Sequence, residues 1–78
     1  MQRFIAQISS PIDKAQFERA WQSDTNIDQS FKIDFNFTGC RITIIIESYL
    51  ETWHSDDFHR TFSRAIHQVD QHCNIRWL

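Results

Sequence analysis

"FKIDFNFTGCRITIIIES" (residues 31–48) carries two runs of alternating apolar and polar side chains on either side of a glycine. Phe31, Ile33, Phe35 and Phe37 alternate with Lys32, Asp34, Asn36 and Thr38, and Ile42, Ile44 and Ile46 resume the pattern beyond Gly39-Cys40. A period of two puts each set on one face of a strand. A two-residue type II′ turn at Gly39-Cys40 joins the arms, since it needs a positive φ at its first central position and glycine adopts that without steric cost. Phe37 then pairs with Ile42, Phe35 with Ile44 and Ile33 with Ile46, and the opposite face sets Lys32 beside Glu47. A slip of one residue would lose both the apolar and the charge pairing, so this hairpin has a single register.

Outward from the hairpin, "RFIAQIS" (residues 3–9) alternates Phe4, Ala6 and Ile8 against Arg3, Ile5 and Gln7 and reads as a first strand. "SSPIDKAQFERAWQS" (residues 9–23) opens a helix with Ser10 expected as N-cap, Pro11 at the first helical position and Asp13 placed to return a cap bond. Phe17, Ala20 and Trp21 share one side of it. Turn-forming residues in "SDTNIDQ" (residues 23–29) end it. Ser55 is the expected cap of a second helix, with Asp56 and Asp57 in the first turn, where the helix dipole favours negative charge. That helix is expected to run to about Cys73, leaving "NIRWL" (residues 74–78) as a short edge strand.

The order β-α-β-β-α-β, joined by right-handed crossovers, predicts an α+β two-layer sandwich: a four-stranded antiparallel sheet with two helices on one face. This resembles the ferredoxin-like plan, a likeness of architecture and not of family. Residues 1–78 are expected to form a single domain, since this length leaves no room for a second core. A chain this short removes only about 60–65% of its unfolded surface from water, so large side chains matter. Seven Phe, three Trp and one Tyr supply them.

Composition excludes several function classes. A formal charge of −2 disfavours binding to nucleic acid by phosphate attraction. No apolar run approaches a membrane span and "MQRFIAQISSPID" lacks a signal-peptide core, so a soluble cytoplasmic protein is the expectation. Cys40 and Cys73 do not form a CxxC pair and are expected to be reduced thiols on different flanks of the sheet. The single glycine belongs to the hairpin, leaving none for a phosphate loop.

"FHRTFSRAIHQVDQHC" (residues 58–73) packs three histidines and a cysteine into one stretch. Ligands sharing a metal on a helix must be three or four residues apart. His59 and His67 are eight apart, about 12 Å along the axis, and His67 and His72 are five apart, about 140° around it. Phe58, Phe62, Ala65, Ile66, Val69 and Cys73 form an apolar stripe instead, with His59 and His72 on its flanks and His67 facing away. The stretch is an amphipathic helix and no metal or other cofactor is expected. "DTNID" mimics the start of a calcium loop, but Gln29 and Phe35 stand where glycine and a bidentate glutamate belong.

Two surfaces are candidates for function. The loops after the first helix and the third strand meet at one end of the sheet and would gather Trp21, Asp24, Asp28, Tyr49, Glu51, Trp53 and His54 into an aromatic and acidic ligand pocket. The competing reading has Trp21 and Trp53 closing the core. The second surface is the sheet face without helices, carrying Ile5, Arg41, Thr43 and Ile45, joined by a weak basic band of Arg60, Arg64 and His67 on the second helix. That sheet face lacks the aromatics on which RNA-binding modules of this plan stack bases. No catalytic set emerges. The expectation is a protein–protein interaction module with a protein partner, a homodimer included; a small-molecule-binding protein or minor enzyme using the Trp21–Trp53–His54 end is the alternative.

Overall fold

The structure, a computed structural model, describes residues 1–24, 32–47 and 53–78. Strand β1 (Gln2–Ile8) is followed by helix α1 (Lys14–Ser23), the hairpin β2 (Lys32–Thr38) and β3 (Arg41–Glu47), helix α2 (Ser55–Val69) and strand β4 (Ile75–Trp77). The four strands form one antiparallel sheet in the order β2-β3-β1-β4, an α+β fold on the ferredoxin-like plan. The hairpin has the expected register: Lys32 opposite Glu47, Ile33 opposite Ile46, Phe35 opposite Ile44 and Phe37 opposite Ile42. Gly39 has φ +61°, and among the described residues no other has a positive φ, as a type II′ turn requires.

The core lies between sheet and helices. Ala6, Ile8, Phe35, Ile42, Ile44 and Ile46 of the sheet meet Phe17, Ala20 and Trp21 of α1 and Phe58, Phe62, Ala65 and Ile66 of α2, all buried. Aromatic rings dominate it. Phe17 lies 4.9 Å from Phe35 and 5.3 Å from Phe62, and Phe58 stacks on Phe4 at 4.7 Å. Trp77 of β4 reaches back over Phe4, Phe58 and Phe62. Such pairs add roughly 0.5–1.5 kcal/mol each beyond the area they bury, which matters in a core this small.

The helix ends differ from the sequence reading. Asp13, not Ser10, caps α1: its carboxylate accepts from the Ala15 amide at 2.8 Å, and the helix begins at Lys14, beyond Pro11. The serines are occupied elsewhere. Ser9 Oγ accepts from the Asn74 amide at 2.9 Å, and Ser10 Oγ donates to the Asp70 carboxylate at 3.2 Å. In α2 the N-cap position belongs to His54, whose imidazole makes no cap bond, and Ser55 is the first helical residue. The helix stops at Val69 and not near Cys73, because Asp70 turns the chain: its carboxylate accepts from the His72 amide and its carbonyl from the Cys73 amide. Cys73 is buried all the same, with its thiol near Ser9 and Ser10.

Candidate interaction surface

The sheet face opposite the helices is built by the outward residues of four strands. Strand register makes four rungs of it. Arg41 lies between Thr38 and Gln7, with Arg76 beyond Gln7. Thr43 lies between Asn36 and Ile5, and the Leu78 amide donates to the Ile5 carbonyl at 2.9 Å, which sets Leu78 alongside. Ile45 lies between Asp34 and Arg3, and beyond it Glu47 stands opposite Lys32. Ile5, Thr43 and Ile45 are half-buried by their neighbours, while Met1 and Leu78 are 87% and 59% exposed. Met1, Lys32, Ile33, Asp34, Ile45 and Glu47 line a cleft of about 410 Å³ at one corner.

Six charged residues border this strip: Arg3, Lys32, Asp34, Arg41, Glu47 and Arg76, all exposed. Among the described residues the ion pairs lie wholly in the helical layer: Lys14–Glu18, Arg60–Asp57 and Arg64–Asp24. Lys32 and Glu47 share a rung without closing into an ion pair. The face therefore presents an apolar, β-branched centre with charges of both signs directed outward.

The basic band on α2 is weaker than its sequence suggests. Arg64 is no free cation: its guanidinium sits 3.0 Å from the Asp24 carboxylate, tying α2 to the end of α1, and the Asp24 side chain is only 8% exposed. The tie joins a residue expected in the pocket to one expected on the interface. His67 does face away from the core, but its Nε2 lies 2.9 Å from the Cys73 carbonyl and holds the helix exit. Arg60 pairs with Asp57 at 3.8 Å, one turn back, and not with Asp56. Both partners are well exposed, so the pair is worth a fraction of a kcal/mol.

At the other candidate site the structure places Trp21 and Trp53 together, ring centroids 6.0 Å apart, with Phe58 5.3 Å from Trp53. Trp21 is buried against Phe17 and Phe35, so this pair packs the end of the core. Asp24 is turned toward Arg64 and His54 is exposed at the head of α2. Asp28, Tyr49 and Glu51 lie outside the described residues, as do the remaining oxygen ligands of the calcium-like stretch. Sequence reading missed what positions Trp53. The Gln2 side chain spans its backbone, accepting from the Trp53 amide at 2.8 Å and donating to the Trp53 carbonyl at 2.7 Å. A primary amide at the start of β1 was the one available sign.

His59 was expected only to flank the core. Its ring stacks on Trp77 with centroids 3.9 Å apart and planes 13° from parallel, and it meets the Phe4 ring edge-on. Burial lowers its pKa below the ordinary value, and the Asp56 charge opposes that in part. Among the described residues no group of His, Cys, Asp and Glu is placed to hold a metal ion, and no helix is long and apolar enough to cross a membrane. Comparison with known protein families, with curated proteins and with solved structures finds no match for this chain.

Proposed function

We propose that this chain is a protein–protein interaction module without catalytic activity of its own, working through the open face of its sheet. The observation that carries the reading is the strip Ile5–Thr43–Ile45, which faces away from the helical layer, is only partly buried and is surrounded by exposed charges of both signs. An apolar centre with a charged rim is how a specific protein interface is organised: the centre supplies desolvation energy and the rim supplies selectivity. The helical layer offers less, because Arg64 and His67 are engaged within the chain. The aromatic end likewise has an internal role, since Trp21 is buried among core rings.

Capture experiments in the native host with three chains test this. The wild-type chain and the Arg60→Glu chain are expected to retain the same partner, and an Ile5→Asp/Ile45→Asp chain with an unchanged circular dichroism spectrum is expected to lose it. Retention by the sheet variant, with loss in a His54→Ala chain that also loses ligand-dependent tryptophan quenching, would move the function to the aromatic end.

A further inference from the structure

The outer face of β3 reads Arg41, Thr43, Ile45, Glu47, with a cation at one end, an anion at the other and β-branched residues between. This order is self-complementary under a two-fold axis lying across the strands between Thr43 and Ile45. Such an axis seats β3 on β3 of a second copy, running in the opposite direction. Arg41 then faces Glu47 of the copy, Glu47 faces its Arg41, and Thr43 meets its Ile45. Two sheets packed face to face hold their strands within about 30° of each other, which keeps these pairs in reach.

From this we infer that the open sheet face binds a second copy of the same chain, back to back and antiparallel, with reciprocal Arg41–Glu47 ion pairs across the two-fold axis. The inference rests on the open face being the working surface and names its occupant. Charge complementarity carries it. Arg41 and Glu47 are both exposed and form no ion pair with the described residues of their own chain. Glu47 also lines the corner cleft of about 410 Å³ with Met1, Lys32, Ile33, Asp34 and Ile45, so an arginine entering there would meet two carboxylates against one ammonium, beside an apolar wall. Both rows of the interface are made by one strand, and a C2 interface must be isologous in this way.

The size of the face sets the expected strength. Three strands of seven residues and one of three, at about 3.3 Å per residue and about 4.8 Å spacing, give a flat footprint of about 380 Å². Stable interfaces bury about 800 Å² per partner, so this dimer belongs among the weaker, concentration-dependent ones. Opposite charges on its rim make it weaken with added salt.

Sedimentation equilibrium of the purified chain from about 1 μM to 1 mM tests the inference with a charge-swap cycle. Arg41→Glu alone and Glu47→Arg alone are each expected to weaken the dimer by about tenfold, because each sets like charges opposite one another twice. The doubly swapped chain is expected to recover wild-type association. Arg41 and Glu47 are about 20 Å apart along their own strand, six residues at 3.3 Å, so recovery cannot come from a contact within one chain. A chain monomeric throughout the range overturns the inference, and if a partner captured by wild type is then lost in Ile5→Asp/Ile45→Asp, the face belongs to a different protein. A dimer that persists in Ile5→Asp/Ile45→Asp uses another surface, such as the β2 edge, and defeats both the inference and the reading beneath it. Single swaps without effect, or a double swap without recovery, also overturn it.

Discussion

At the scale of single residues, the informative side chains are those doing two jobs. His59 is half-buried on the Trp77 face, and burial holds its pKa below 6.5. The unfolded chain therefore takes up a proton on His59 before the folded one does. Stability is full above the unfolded value and is lost as pH falls from about 6.5 through the lower folded value. Denaturant midpoints measured from pH 7.5 to 5 should fall with pH, and the fall should be smaller in His59→Phe. A rise toward low pH would mean that attraction of the imidazolium to the Trp77 ring outweighs burial. Gln2 is the other such residue, since one side chain satisfies both backbone groups of Trp53. Gln2→Ala should cost about 1–3 kcal/mol, two hydrogen bonds at roughly 0.5–1.5 each, and should shift tryptophan emission to the red as Trp53 loosens. A denaturation midpoint within error of wild type would show that Trp53 is held by ring packing alone.

At the scale of elements, the caps separate what the sequence could reveal from what it could not. Asp13→Ala should destabilise the chain by about 1 kcal/mol, because the Asp13 carboxylate alone accepts from the Ala15 amide at the helix start. Ser55→Ala should stay within about 0.5 kcal/mol of wild type, since no side-chain cap bond forms at the head of α2. Equilibrium urea unfolding of the two variants would reveal a reversed order if the caps were as composition suggests. The hairpin was legible because its information is local: alternation, one glycine and one charge pair all demand the same register. The helix starts were not, because Ser9 and Ser10 look like caps and are recruited by Asn74 and Asp70, some sixty residues distant. The Arg64–Asp24 pair was hidden for the same reason. Helical periodicity shows which way Arg64 points, but not that the end of α1 arrives beneath it.

At the scale of the whole molecule, one strand divides the chain's chemistry between its two sides. Ile46 is 1% exposed on the helix side of β3, while Ile45 is half-buried on the other. Ile46→Ala should cost about 2–5 kcal/mol through lost burial and the cavity left behind. Ile45→Ala should cost under about 1.5 kcal/mol in the isolated chain, because that side chain is only partly buried and its loss leaves no enclosed cavity. Thermal unfolding at low concentration makes the comparison, and near-equal losses would mean the second face is covered. The same division explains why the candidate surface was only half visible in sequence. Period two assigns Ile5, Thr43 and Ile45 to a common side, yet only the strand order β2-β3-β1-β4 makes Ile5 and Thr43 neighbours. Met1 joined the cleft for a reason no periodicity carries: it sits one residue before β1, beside the end of β3.

The place of Trp77 has a further consequence for how the layers hold together. Its ring rests on Phe4, Phe58, His59 and Phe62, which gathers residues from both ends of the sequence under one side chain. One ring from a three-residue strand therefore clasps the first strand and the second helix together. The edge strand thus serves as a latch, and fraying of its three residues would bare the aromatic surface of β1 and α2 at one stroke.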